Sequence, residues 1–357
     1  MDESELHERH QRNEKLAHQR PHLPASHLEP IESRKLGGRG PAVTRLGLGL
    51  AALGRPAYIT LGHGEDFPDG RGVEAMEKHA HRMLDQAFAA GIRYFDAARS
   101  YGRAEQFLRT WIDTREIRPE EIALGSKWGY RYTGDWKLDD RVQEVKDHGV
   151  AMLKAQMAES TSVLGPYLRL YQIHSATKDS RVLEDAEVLG ELRRLRESGL
   201  FLGVTTSGPA QLSTLRQAIG IRFDGAPLFS AVQATWNVLE RSAEPGLREA
   251  HEAGFTVLVK EALANGRLGP NGDAGSSGPV RTVADRLRAS ADAVALAYVL
   301  REPWADAVLL GAATAGQLAS NLAAIGLRLS ADDVEFLDQL REPADEYWAR
   351  RARLPWK

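Results

Sequence analysis

Residues 45–58 read RLGLGLAALGRPAY, and residues 61–72 continue LGHGEDFPDGRG. Glycines crowd a short apolar run here, as they do in the first turn of a doubly wound nucleotide-binding sheet, but in that architecture the turn opens directly into a helix. No helical pattern follows at once. A Gly/Asp/Pro loop comes instead, so the glycine fingerprint fails its context. Outward from this point, apolar runs at 45–50, 92–96, 122–126, 168–173, 201–205, 231–234, 255–259 and 307–310 predict eight strands. Amphipathic stretches at 73–90, 145–164, 188–198, 209–219, 245–253, 282–300 and 317–325 predict the helices between them. Such alternation argues for a parallel sheet covered by helices. Gly91, Gly199 and Gly254 stand where helices must stop sharply before the next strand. The expected fold is α/β, a (β/α)8 TIM barrel: one domain over residues 34–340, with a polar N-terminal extension at 1–33 and a C-terminal tail at 341–357.

The composition suits that expectation. The 357 residues are 43% hydrophobic and 27% charged, enough apolar side chain for a sizeable core, and the net charge of -3 supplies no basic field to draw the chain onto nucleic acid or anionic lipid. The absence of cysteine removes disulfides, thiolate nucleophiles and thiolate metal sites. No run approaches the roughly 18 apolar residues of a membrane span, and the N-terminus lacks the apolar core of a signal peptide, so the expected location is cytoplasmic. The extension holds His7, His10, His18, His22 and His27 among Pro21, Pro24 and Pro30. His7 and His10 would share a helix face, but Pro21 interrupts the similar spacing of His18 and His22, and nothing else marks a ligand cage. It reads as a solvated arm with no metal. The tail from Arg341 mixes Tyr347, Trp348 and Trp356 with arginines. A segment folding back over the barrel mouth explains it better than nucleic-acid binding does.

In a barrel all strand ends open on one face, where the site is built. Asp96, Lys127 and His174 sit at the ends of the second, third and fourth expected strands, and Tyr101 lies just beyond the second. Taken singly, each has an ordinary structural role: a turn cap, a packed ring, a solvated amine, a hydrogen-bonded core imidazole. Their joint placement has a chemical use. An ammonium beside a phenol lowers its proton affinity, a carboxylate holds the ammonium, and an imidazole polarises a carbonyl. Two ligand-type side chains at strand ends are too few for a metal-dependent hydrolase.

The segment from Gly91 through Asp96 and Tyr101 to Gly102, with Glu105 following, resembles the aldo-keto reductase signature, in which the Asp and Tyr of a catalytic tetrad stand five positions apart. Ser126-Lys127 and Tyr171-Gln172-Ile173-His174 resemble the family's lysine and histidine strands, and the resemblance runs from about Arg34 to about Leu340. It implies a barrel without a Rossmann domain, an NADP(H) cofactor, a small-molecule carbonyl or alcohol substrate, and Tyr101 as general acid in reduction. The cofactor positions it implies are Gly49 at the first strand, Thr205 and Thr206 in place of the family's Ser-Asn, and Gln233 followed by Trp236 and Asn237. A pyrophosphate loop follows at Leu263, Gly266, Arg267 and Leu268, and an adenosine site at Gly311, Gln317 and Asn321. Two departures stand out. Lys260 and Glu261 replace a Tyr-Ser pair, so no aromatic stacks there unless Trp236 compensates, and the adenosine segment lacks the Arg or Lys that usually holds a 2'-phosphate, which leaves NADH open. The second reading is a cofactor-binding redox sensor or auxiliary subunit with little turnover.

Overall fold

A computed structural model describes residues 30–138, 142–270 and 272–356. The five N-terminal histidines and most of the 1–33 extension lie outside the described residues. The chain enters through a hairpin, β1 (Ser33–Lys35) and β2 (Ala42–Thr44), then runs into β3 (Leu46–Gly49), α1 (Val73–Ala89), β4 (Tyr94–Asp96), α2 (Ala104–Arg115) and β5 (Ala123–Trp128). A second hairpin, β6 (Tyr130–Tyr132) with β7 (Glu144–Lys146), precedes α3 (Val150–Leu164), β8 (Leu168–Ala176), α4 (Ala186–Glu197), β9 (Phe201–Thr206) and α5 (Gln211–Gly220). After the two-residue strands β10 (Arg222–Phe223) and β11 (Ala226–Pro227) come β12 (Ala231–Thr235), α6 (Glu244–Glu252), β13 (Thr256–Lys260), α7 (Ala274–Leu287), α8 (Ala291–Leu300) and β14 (Ala307–Leu310). The chain finishes with α9 (Ala315–Leu322), α10 (Ala331–Asp338) and α11 (Ala344–Ala352). Strands β3, β4, β5, β8, β9, β12, β13 and β14 pair in parallel and in chain order, and β14 returns to β3 to close the barrel.

The barrel follows from two apolar surfaces on each strand. All six residues of β5 are buried, the pattern of a strand covered on both faces. One face turns inward, where Tyr94, Ala123, Leu170, Ala231, Leu258 and Ala307 form an inner cluster that Leu36 and Val43 of the β1–β2 hairpin plug from below. A side chain at Gly125 would lie 2.3 Å from the Tyr94 hydroxyl, so the large ring inside the barrel requires glycine on the neighbouring strand. The other face packs against helices such as α1, whose Met76, Ala80, Met83, Leu84 and Ala87 form one buried stripe. Gly91, Gly199 and Gly254 all take left-handed φ after their helices, at +96°, +97° and +83°.

All eight barrel strands fall on the expected runs, but the helices differ: α2, α10 and α11 form where none is expected, and the stretches at 145–164 and 282–300 are divided otherwise. Helix α2 occupies 104–115, where no helix is expected: Phe107, Leu108, Trp111 and Ile112 form its buried stripe, but Arg103 gives no side-chain cap to mark its start. Residues 144–146 form a strand, and α3 begins only at Val150. The expected helix at 282–300 is two: α7 starts earlier, on an Asp273 cap, and breaks at Arg288 with φ +53°, after which Ser290 caps α8. Among the described residues, no helix is long and apolar enough to cross a membrane.

Candidate active site

Asp96, Lys127 and His174 stand at the carboxyl ends of β4, β5 and near that of β8, and the turn after β4 brings Tyr101 over them. That turn is pinned by close backbone approach. A side chain on Gly102 would meet the Gly54 carbonyl at 2.5 Å, and Arg103 N donates to the same oxygen at 2.7 Å. Buried Glu105 of α2 accepts from Ser126 and Ser160 and pairs with Arg99, which anchors the lysine strand from behind.

Lys127 Nζ pairs with the Asp96 carboxylate and donates to Ala97 O at 2.9 Å. The other Asp96 oxygen accepts from the Tyr94 hydroxyl at 3.1 Å and from Gln172 and Gln233 at 3.2 and 3.4 Å. A buried ion pair this well hydrogen-bonded is satisfied rather than strained. The Lys127 ammonium lies 4.7 Å from the Tyr101 ring centroid, and the Tyr101 hydroxyl is 3.5 Å from His174 Nε2. On the other side of that imidazole, Ser100 Oγ is 3.4 Å from Nδ1. The four residues thus converge.

One expectation changes sign. Lys127 was to bring the Tyr101 phenol down, yet burial pushes it well above the usual tyrosine range, the Asp96 carboxylate adds to the rise, and Arg55 works against it. Lys127 is tied to a carboxylate that largely offsets its charge. His174 moves the other way: burial, reinforced by the charges of Lys127 and Lys260, holds its imidazole well below the ordinary value. At neutral pH the site therefore holds a protonated phenol beside a neutral imidazole.

Several contributors escape sequence reasoning. Arg55, 2% exposed, donates to Ser100 O at 3.0 Å and pairs with Glu144 at 2.8 Å, and its guanidinium lies 5.1 Å from the Tyr101 ring and 4.7 Å from that of Trp356. Arg351 from α11 grips Glu261 at 2.5 Å. Burial brings the neighbouring Lys260 ammonium down to about 8, against the pull of Glu261. These side chains come from a loop, a hairpin and the tail, where no periodicity or spacing signals convergence. Tyr347 and Trp348 are buried in the tail packing, while Arg351, Leu354 and Trp356 line the cavity.

The cavity above Tyr101 holds about 340 Å³ and runs from Arg55 and Tyr130 past Lys260 to Gly311 and Asn321. Of the residues read from the sequence, Gly49, Gln233, Leu263, Gly266, Gly311, Gln317 and Asn321 line it. Four do not. Thr205 accepts from Ser175 N at 2.6 Å where β8 bulges, and Thr206 is buried toward Gln211. Arg267 is 3% exposed, its guanidinium held by Glu342 and Ser276, and Leu268 lies in the core. Trp236 also fails to reach the cavity, because it stacks on Tyr298 with ring centroids 5.6 Å apart. Two buried acceptors on the cavity wall, Asn265 Oδ1 and Asn321 Oδ1, have no hydrogen-bond partner. Among the described residues, no group of three or more His, Asp or Glu is placed to hold a metal ion.

Known proteins resemble this chain along most of its length. A sequence profile of the Aldo/keto reductase family matches residues 45–342. Norsolorinic acid reductase stcV of Emericella nidulans is 24% identical over 282 residues, covering 73% of this chain and 71% of that one. Protein tas of Escherichia coli is 25% identical over 311 residues, covering 73% of this chain and 88% of its own. The solved holo form of aldo-keto reductase AKR11C1 from Bacillus halodurans has a TM-score of 0.65 at 22% identity, over 88% of this chain and 97% of that one, a likeness of fold.

Proposed function

The chain belongs to the aldo/keto reductase family, and from that premise we propose that it reduces an aldehyde or ketone to an alcohol, or runs the reverse, with a nicotinamide dinucleotide and Tyr101 as the proton-transferring residue. Membership makes it a carbonyl-reducing oxidoreductase at the level of the family. The observation that carries the finer reading is the Tyr101 hydroxyl, 3.5 Å from His174 Nε2 on the floor of a cavity, with the Lys127–Asp96 pair against the ring.

The cavity fits such a cofactor. It extends from the tetrad to the end of β14, glycines at 49, 266 and 311 let a ligand approach the backbone, and the bare acceptors of Asn265 and Asn321 suit amino or hydroxyl donors. Gly49, Gln233, Leu263, Gly266, Gly311, Gln317 and Asn321 would hold it. When bound, the dinucleotide supplies or accepts the hydride.

The protein's part is to place the carbonyl and move one proton. With Ser100 donating to His174 Nδ1, the neutral imidazole presents Nε2–H to the carbonyl oxygen and polarises it. Tyr101, kept protonated by burial, delivers its proton to that oxygen as the carbon receives the hydride, and the alcohol leaves with both. In oxidation Tyr101 must start as the phenolate to take the alcohol's proton, a form that burial disfavours, so the unliganded site holds the protonation state that reduction needs. Tyr58, Tyr130 and Trp356 add aromatic surface to the cavity wall.

The test is consumption of NADH and NADPH by the full chain with a panel of aldehydes and ketones. Carbonyl-dependent consumption is expected. Dinucleotide binding with no turnover of any carbonyl would instead favour the redox-sensing reading.

A further inference from the structure

Among the described residues, the cations that line the cavity are Arg55, Lys260 and Arg351, and both arginines are already neutralised. Arg55 pairs with Glu144 at 2.8 Å and donates to Ser100 O at 3.0 Å. Arg351 closes on Glu261 through Nε, at 2.9 and 3.0 Å, and through a terminal nitrogen, at 2.5 Å. Thr235 Oγ1 donates to the same carboxylate at 3.0 Å, so both Glu261 oxygens are engaged. Lys260 stands where β13 gives way to the loop after it, partly exposed and lining the cavity. Among the described residues its ammonium has neither a hydrogen-bond partner nor an ion-pair partner.

An ammonium left without a counter-ion where the dielectric is low attracts an anion strongly. Burial, only partly offset by Glu261, brings Lys260 down to about 8, as expected where the protein supplies too little negative charge. Its charge is felt at the tetrad: after burial and Lys127, it is the next influence holding the His174 imidazole well below its ordinary value. An anion that meets Lys260 therefore lies close to the group that polarises the carbonyl. The far wall of the cavity, lined by Asp292, Gln317 and Asn321, has the opposite character. Asp292 is 3% exposed and accepts from Ser320 Oγ at 2.9 Å and Asn321 Nδ2 at 2.7 Å, with no ion pair among the described residues. One end of the cavity thus favours an anion and the other repels it.

Resting on the carbonyl-reductase reading above, we infer that the substrate is an oxo acid, a carbonyl compound that also carries a carboxylate, and that Lys260 is the specificity-determining residue that pairs with this carboxylate while His174 and Tyr101 take the carbonyl oxygen. The carboxylate supplies the missing counter-charge, whereas a neutral aldehyde of the same shape leaves the ammonium unpaired in the closed cavity. Three donors on a flexible stem let a lysine meet a carboxylate that the tetrad has already positioned by its carbonyl. A phosphate of the dinucleotide is the other anion within the same chemistry, and the test separates the two.

Reduction of matched pairs, benzaldehyde against 4-carboxybenzaldehyde and butanal against 4-oxobutanoate, is followed with the full chain at neutral pH and low salt. The carboxylate member of each pair should show a kcat/KM about tenfold or more above its neutral partner. Lys260→Met should collapse that ratio by about tenfold and Lys260→Arg should keep it, a split that a merely structural lysine does not produce. Quenching of tryptophan fluorescence by benzoate against benzamide gives an arm without turnover: benzoate should bind more tightly, and lose that advantage in Lys260→Met. Neutral aldehydes reduced as well as their carboxylate partners overturn the substrate class and leave the reductase reading intact. A ratio unchanged in Lys260→Met, with NADH and NADPH affinities lowered instead, gives the ammonium to a dinucleotide phosphate and overturns it too. Lys260-dependent benzoate binding without turnover of any carbonyl supports the anion site and overturns the reductase reading.

Discussion

The tetrad end and the far wall share one cavity but are assembled differently. At the tetrad end, Asp96, Lys127 and His174 arrive on or just past parallel strands whose register is fixed by pairing: Asp96 lies opposite Gly125, and Lys127 opposite Gln172. At the far wall, Asp292, Gln317 and Asn321 arrive on the first turns of one helix and along another, and the wall is backed by Asp66 from a loop. Strand ends of a closed barrel carry chemistry with little room for choice, whereas helix starts and loops allow each chain its own ligand preference. The first end is therefore set by strand register, and the second by helix and loop packing.

Four substitutions press on that contrast. Lys127→Met should have the largest effect, lowering kcat about a thousandfold while dinucleotide affinity stays within about threefold, because it leaves the buried Asp96 carboxylate unpaired beneath the Tyr101 ring. A thermal unfolding scan run alongside separates lost chemistry from lost fold. Turnover near wild type removes Lys127 from the mechanism.

Glu261→Gln acts on the clasp between β13 and the tail. Burial pushes the Glu261 carboxyl up, but Arg351 and Lys260 outweigh it and bring it from 4.5 to about 2. A carboxyl depressed on folding contributes stability that is fully present above its unfolded value and fades as pH falls toward the folded one. Urea unfolding should show a deficit of about 2 kcal/mol in the variant at pH 7, shrinking as pH drops from 4.5 toward 2. A deficit that does not change over that range means the pair is not what holds the tail.

Arg55→Met should lower kcat about tenfold, because it removes the guanidinium beside the Tyr101 ring and leaves Glu144 unpaired. A kcat near wild type assigns Arg55 to packing alone. The smallest effect is expected from Arg267→Met. Since Glu342 and Ser276 hold this guanidinium away from the cavity, dinucleotide affinity should change less than about twofold even as the unfolding midpoint falls. A tenfold loss of affinity returns Arg267 to the pyrophosphate.

These differences also explain what the sequence makes legible. The barrel is readable because short, largely apolar strand runs alternate with amphipathic stretches and because Gly91, Gly199 and Gly254 mark helix ends by a backbone need that few other residues meet. Asp96 and Tyr101 are readable because five residues span one tight turn, so sequence distance stands in for spatial distance. Thr205 misleads because a bulge in β8, with Ser175 at φ +53°, turns the threonine hydroxyl to a backbone N–H that nothing local foretells. Arg267 misleads because its partner Glu342 is 75 residues away. Trp236 does so because it stacks on Tyr298, on a helix four elements later. Arg55 and Glu144 leave no signal, since they meet only after the loop and the hairpin have packed, whereas the aromatic and basic tail signals a fold-back over the mouth but not which of its residues reach the cavity.

The most direct test of the central claim is a single-turnover mixing experiment with Tyr101→Phe. The variant keeps the ring against Lys127 and Arg55 but has no proton to give. With dinucleotide bound beforehand and an accepted aldehyde added, hydride transfer should slow by about a hundredfold or more while dinucleotide affinity holds within about twofold. A transfer rate close to that of the wild-type chain would contradict it.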